Sequence, residues 1–413
     1  MTTIDAQSAR PVAATERMEV LDVLRGVAVY GILLYNALAF SGYDFLSPAE
    51  QRALPLASLN RIGSFLVEFL IAGKFYSLFS FMFGVGFSIF IQRATVRGAR
   101  AVALFKRRLA GLLLIGLVHT TFIWAGDILT TYAVLGFALI PFLNRDDRAV
   151  LRWAWIWVLA PIPIYVLLLA LTQLVAPSPA GDAPLPAVLQ RALGAFAHGT
   201  YPAIVRGNLV FTAAGFIRRV ALMFFPRVFG MFLLGLYAGR HNMFASAGEH
   251  RVLLTRTLVW GAAIGLPLAF AGPFLGDSGA PRLPTPMGLL YMTVETIATP
   301  ALALAYGAAV CLAFMRYPRL LAAFAPVGRM ALTNYLMHSI VGVTLFYGIG
   351  FQLWGRVGPA VLLPGATALV LIQVAVSRWW LSRAAFGPAE WIWRTLTYGQ
   401  RVPLMKARHA ATT

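Results

Sequence analysis

The chain is poor in cysteine, in charge and above all in acid. A single cysteine, Cys311, sits in an apolar run, which excludes an internal disulfide and leaves no basis for a cysteine metal site. Charged residues make up 12% of the 413 positions, well below the roughly 25% of soluble domains. Only 15 Asp and Glu stand against 34 Lys and Arg, a formal net charge of +19. That excess is scattered in short clusters between apolar segments. It therefore reads as the positive-inside bias of membrane loops rather than as a nucleic-acid surface. A P-loop, a dinucleotide-binding glycine fingerprint, an HExxH helix and a serine or cysteine nucleophile motif are all missing, and the histidines and acids lack metal-ligand spacing. Neither a metal nor a tightly bound cofactor is expected.

What is present is apolar: 59% of residues are hydrophobic and the mean hydropathy is +0.75. This composition predicts an all-α polytopic membrane protein. Candidate spans of about 17–25 residues are 21–40, one within 62–91, then 104–124, 127–143, 150–175, 220–239, 252–275, 287–315, 328–350 and 359–381. With ten spans and the Lys/Arg bias of the short loops, both termini fall in the cytoplasm. Residues 1–20 read as a polar tail with no cleavable signal pattern, so the first span is expected to be a retained anchor. Two five-helix halves, 21–175 and 220–399, flank an extracytoplasmic loop and amphipathic helix at 176–219, and a tail follows at 400–413. The segment 62–91 is too long for one straight span, since thirty helical residues run about 45 Å against a core of about 30 Å. Gly73-Lys74 is the expected break, with an interfacial piece before it. Gly84-x-Gly86 is expected to permit close helix packing.

Polar groups are costly in a bilayer and tend to mark function. His119 sits in an apolar helix, a Trp124-Ala125-Gly126 turn follows, and Asp127 opens the next helix. Histidine suits general-base work, and a carboxylate can fix its tautomer. Counted along their spans, Asn36 and Lys74 lie at a similar depth and could contact an oxyanion or an acceptor. Glu295 could join that layer, while Asn334 and His338 fall nearer the middle of theirs. Each residue has a structural reading too. Asp127 can cap its helix, His119 can bond a carbonyl, Asn36 can join helices, and Lys74 can reach outer headgroups as Arg25 reaches inner ones. If the protein is an enzyme, direct acyl transfer to a hydroxyl or amine fits better than redox or metal chemistry.

Five stretches carry a family resemblance. They are LDVLRG at 21–26 with GILLYN at 31–36; KFYSLFSFMFGVG at 74–86; GLVH at 116–119 with WAGDIL at 124–129 and Tyr132-Ala133; GRMALTNY at 328–335 with His338; and FGPAEWIWR at 386–394 with LTYG at 396–399. Together they resemble the YeiB-like membrane proteins, whose C-terminal half is known as DUF418. That family is similar to the transmembrane acyltransferases that include heparan-alpha-glucosaminide N-acetyltransferase. The resemblance implies a bacterial inner-membrane protein that moves an acyl group, acetyl foremost, from cytosolic acyl-CoA to a sugar or lipid-linked acceptor. Asn36 matches an asparagine implicated in catalysis there. The catalytic histidine of those enzymes follows the first span, whereas this chain has no histidine between Ser41 and Lys74. His119 would have to supply the base, with Asp127 as its partner. Arg25 and loop arginines would meet the CoA phosphates, with Lys74, Trp124, Tyr132, Glu295, Asn334 and His338 as further substrate contacts. The bilayer and the acceptor are the expected partners, nucleic acid is not, and a homodimer is left open. The alternative is a transporter or exporter that uses Glu295, His338 and Asp127 as a proton relay, although no pair of related halves is visible. A third reading is a non-catalytic partner of a biosynthetic complex.

Overall fold

A computed structural model describes residues 18–175, 186–222, 224–244, 248–275 and 284–406. The polar tail expected at 1–20 lies outside the described residues up to position 17, as do 176–185 of the predicted loop and 407–413 of the C-terminal tail. Apart from one isolated bridge between Ala384 and Met405, the described residues form helices and connecting turns. Helix is what an apolar chain must adopt in lipid, because each backbone group then finds its partner within its own segment.

The helices are α1 (Glu19–Phe40), α2 (Pro48–Ala53), α3 (Ala57–Leu70), α4 (Lys74–Val96), α5 (Ala101–Phe122), α6 (Leu129–Leu139), α7 (Asp147–Leu159) and α8 (Pro161–Val175). They continue with α9 (Ala187–His198), α10 (Tyr201–Leu222), α11 (Phe224–Arg240), α12 (Arg251–Leu275) and α13 (Pro286–Arg316). The last are α14 (Pro318–Leu321), α15 (Ala325–Arg329), α16 (Ala331–Phe346), α17 (Pro359–Arg383) and α18 (Pro388–Tyr398).

Six stretches are long and apolar enough to cross a membrane: Glu19–Phe40, Ala57–Val96, Asp147–Thr172, Arg251–Leu275, Pro286–Arg316 and Pro359–Arg383. The other expected spans fall short for visible reasons. α5 carries Lys106, Arg107 and Arg108 near its start, and α11 has 17 residues. α6 continues only through the 3-10 turn Ile140–Asn144. α16, with 16 residues, reaches about 24 Å of a core of about 30 Å.

α1 is the central helix. Its apolar window is 61% buried inside the protein, against 17% for that of α12. α12 turns Trp260 and Phe274 outward, and α17 does the same with Leu371. Contiguous apolar faces of this kind belong against lipid. The expected break is present: α3 ends at Leu70, Gly73 takes φ +81°, and α4 starts at Lys74. The stretch expected as an outer amphipathic helix is α10, which is tied to the end of α5. Asn208 donates to the Thr121 carbonyl at 3.2 Å, and the Thr120 and Thr212 hydroxyls meet at 2.9 Å.

α4 and α11 pack backbone to backbone. A Cβ at Gly84 would collide with the Phe232 carbonyl oxygen, and one at Gly235 with that of Phe81. Gly86 instead faces Arg25, so only the first glycine of the expected packing pair serves that contact. Backbone cannot yield as a side chain can. Gly235→Val is therefore expected to cost about 1–3 kcal/mol and to lower the unfolding temperature in detergent, read by tryptophan fluorescence. An unchanged transition would overturn this account of the interface.

Candidate functional site

His119 stands near the end of α5. Its carbonyl accepts the amides of Ile123 and Trp124, both at 2.9 Å, so the helix end itself sets the ring's place. The chain then turns through Trp124–Gly126, and Asp127 returns to face the ring. His119 Nδ1 lies 2.9 Å from Asp127 Oδ1. Asp127 Oδ1 also accepts from the Leu129 amide at 3.1 Å, and Oδ2 from that of Thr130 at 2.7 Å. The carboxylate thus caps α6 and meets the imidazole at once. Carboxylate oxygens only accept, so the ring proton sits on Nδ1 and Nε2 is left to accept. Nε2 meets the hydroxyl of Ser339 on α16 at 2.9 Å. All three residues are buried. Trp124 closes the far side, its ring 4.2 Å from that of Phe40 and 6.5 Å from that of His119.

A cavity of about 330 Å³ leads towards this group. Its mouth lies where α1, α5 and α16 begin and α4 ends, with α18 alongside. Six arginines line it: Arg25, Arg93, Arg97, Arg108, Arg329 and Arg394. Asp22 and Glu390 are the acids there. Arg25 donates to Asp22 at 3.0 Å, and the Arg108 guanidinium lies over the Trp393 ring at 3.7 Å. Glu390 caps α16, accepting from the Leu332 and Thr333 amides and from the Thr333 hydroxyl. Burial holds the Glu390 carboxyl above the ordinary carboxylate range, partly offset by those hydrogen bonds. Deeper in, the walls turn apolar and aromatic, with Phe79, Met82 and Phe83 on α4, and the far end is formed by Ile128, Leu129, Tyr132 and Tyr335. The Tyr335 ring is 5.3 Å from that of His119. The wall formed by α1 is fixed, because a Cβ at Gly26 would strike the Phe324 carbonyl oxygen and one at Gly328 that of Asp22.

Among the sequence candidates, Arg25 and Tyr132 line the cavity. Asn36 continues the Arg25–Val29–Ile32 face of α1 one turn beyond the lining. It is half-buried and makes no hydrogen bond among the described residues. Tyr132 bonds Ser80 at 2.7 Å and the Tyr76 carbonyl at 3.0 Å.

Lys74 and Glu295, expected in the His119 layer, form a separate group. Lys74 is fully buried, 3.5 Å from Glu295 Oε1, and donates to the Glu68 carbonyl at 2.9 Å. A buried ammonium and a buried carboxylate need each other more than either needs an imidazole. Glu295 also accepts from Thr299 at 2.8 Å, and Arg227 donates nearby to the Tyr76 hydroxyl at 3.0 Å. Asn334 and His338, one turn apart, face α17 instead. His338 pairs with Gln373 at 2.8 Å, and Asn334 donates to Ser377 and to the Val327 carbonyl, both at 3.2 Å. Tyr335 and Ser339, one position along from each, face α5.

Sequence reasoning missed Ser339, Glu68, Arg227 and most of the arginine mouth. A signal for Ser339 existed, since Leu332, Tyr335 and Ser339 share one helical face.

Residues 238–400 match the family described as a protein of unknown function, DUF418. Across nearly its whole length the chain also resembles three bacterial proteins. It is 34% identical to the uncharacterised protein YxaH of Bacillus subtilis (strain 168), over 97% of this chain and 98% of that one. It is 30% identical to YeiB of Escherichia coli (strain K12), over 92% and 96%. A protein from the amylase 3' region of Bacillus acidopullulyticus is 28% identical, over 97% and 99%. Identity at this level over whole chains, with the domain match at the C-terminal end, means that the chain belongs to the YxaH and YeiB family of DUF418 proteins.

Proposed function

We propose that this protein transfers an acyl group, acetyl foremost, from cytosolic acyl-CoA to an extracytoplasmic or lipid-linked acceptor. The observation that carries this reading is the cavity, which starts at six arginines and ends at Tyr335, against the His119 ring. Charge-assisted hydrogen bonds from the mouth suit the phosphates of CoA. The apolar bore suits its pantetheine arm, and the thioester would come to rest near His119. There the imidazole acts as base, Asp127 holds its tautomer and stabilises the cation that forms, and Asn36 contacts the oxyanion or the acceptor. The reading takes ten spans with both termini cytoplasmic, because the Lys/Arg-rich loops then lie inside. The mouth opens at that same side.

Binding of labelled acetyl-CoA to purified protein in detergent tests the proposal. Saturable binding, competed by CoA and weakened by salt, is the expected result. Arg93→Gln with Arg97→Gln is expected to raise Kd about tenfold or more, as loss of a charge-assisted contact worth about 1.5–3 kcal/mol implies. Absence of saturable binding to folded protein would remove the reading. A proton-coupled transporter is the second reading, favoured by the buried Lys74–Glu295 pair. Its relay would have to link Asp127, Glu295 and His338, yet these close separately on His119, Lys74 and Gln373.

A further inference from the structure

Ser339 lies one turn beyond Tyr335, on the α16 face whose Leu332 and Tyr335 wall the cavity. Hydroxyls on helices in this protein commonly turn back to the carbonyl four residues earlier, as those of Ser80, Thr293, Thr344, Thr367 and Thr397 do. Ser339 does not. Its only hydrogen bond among the described residues is to His119 Nε2, at 2.9 Å. The opposite ring nitrogen is committed to Asp127, also at 2.9 Å. Serine, imidazole and carboxylate thus stand in the order and spacing of a nucleophile, its base and the base's orienting group, an arrangement identified by geometry and role rather than by chain order.

Resting on the acyl-transfer reading, we infer that Ser339 is the nucleophile of a two-step transfer through an acyl-serine ester. In the first step His119 Nε2 takes the Ser339 hydroxyl proton as Oγ attacks the thioester carbonyl carbon. The tetrahedral adduct collapses, the carbon–sulfur bond breaks, and the imidazolium gives that proton to the departing sulfur, so that CoA leaves as the thiol and His119 is neutral again. The acyl group remains as an ester on Oγ. In the second step His119 takes the proton of the acceptor hydroxyl or amine, whose oxygen or nitrogen attacks the ester carbonyl. The carbon–Oγ bond breaks, and the proton returns to Ser339. No electrons are exchanged with any oxidant or reductant. The ester also solves a problem of place. Donor and acceptor approach from opposite faces of the membrane, and a covalent intermediate lets them use one buried site in turn.

The test uses full-length protein in detergent, with the acceptor withheld. Acetyl-CoA and a fluorophosphonate probe are applied separately, and the α16 peptide is read by mass spectrometry. The expected result is one acetyl group or one phosphonate on Ser339, with CoA released in the first case. Ser339→Ala abolishes both adducts and lowers CoA release by at least about 10³-fold, while still binding acetyl-CoA and melting as wild type. Ser339→Cys carries the acetyl group as a thioester that hydroxylamine removes, which a merely structural serine would not reproduce. Unimpaired CoA release by folded Ser339→Ala overturns the inference. So does acetyl-CoA binding with neither adduct on the wild type, which leaves acyl transfer standing without a serine intermediate. A phosphonate on Ser339 without acetyl-CoA binding keeps the nucleophile and removes acyl-CoA as donor. Neither adduct nor binding removes both.

Discussion

His119→Gln is expected to lower CoA release from acetyl-CoA by about 10²–10⁴-fold, the range supplied by a positioned general base. Glutamine keeps most of the volume and can donate to Asp127, but its amide cannot accept a proton near neutrality. Asp127→Asn tests the same group from the other side. Asparagine caps helices as well as aspartate does, so α6 should keep its first turn, with the remaining oxygen accepting from Thr130 while the amide nitrogen replaces the oxygen that faces Leu129 and the ring. What changes is the ring. An amide can donate to Nδ1, which would move the ring proton to Nε2, and it cannot stabilise an imidazolium. Activity should therefore fall while the unfolding temperature holds. The measurement is CoA release beside a thermal melt for each variant. Two folded variants with wild-type rates would exclude the pair from the chemistry, and a melt that falls in step with the rate would reduce Asp127 to a cap.

Lys74→Met is expected to destabilise the protein by about 3–5 kcal/mol, the cost of removing one partner from a buried ion pair. The ammonium is fully buried and lies 3.5 Å from Glu295. Methionine keeps much of the volume, so the loss is electrostatic rather than a cavity. Glu295 Oε2 would keep its hydrogen bond from Thr299, while Oε1 would lose the ammonium beside it. Lys74→Met with Glu295→Gln should recover much of that loss, because the stranded charge is gone. Unfolding in mixed micelles with rising SDS reads both. A single variant within about 0.5 kcal/mol of wild type, the scatter of surface substitutions, would refute the pairing.

What could be read from the chain was what is local. The apolar runs gave helices because lipid leaves the backbone no other partner. The break at Gly73-Lys74 followed from a run too long for the bilayer. The His119–Asp127 pair was legible because eight residues hold a helix end, a turn and a cap. Depth could also be counted along each span, and it put Lys74, Glu295 and His119 in one layer. Depth says nothing of the direction in which a side chain points. Rotation about the helix axis sent Lys74 towards Glu295, and it sent His338 to Gln373 while its neighbour Ser339 went to His119. Those pairs span 35 to 221 positions of sequence, and no periodicity encodes them. Loop arginines could be expected near Arg25, but which of them meet could not be read for the same reason, since they come from α4 and its C-cap, α5, α15 and α18.

The glycine contacts at that mouth make it a jaw with one fixed side. Where Gly26 and Gly328 press α1 against the Phe324–Gly328 segment, main chain meets main chain and neither can retreat. Over its middle α4 is held in the same way by α11, at Gly84 and Gly235. The last turns of α4, with Arg93 and Arg97, have no such clamp. They run into a turn at Gly98, where an added Cβ would meet nothing within 4 Å. On the acyl-CoA reading, any widening of the mouth to admit the nucleotide would therefore be one-sided. The α1 wall, with Arg25 and the line towards Asn36, would then be the ruler against which the guest is measured, and the α4–α5 corner would supply the give.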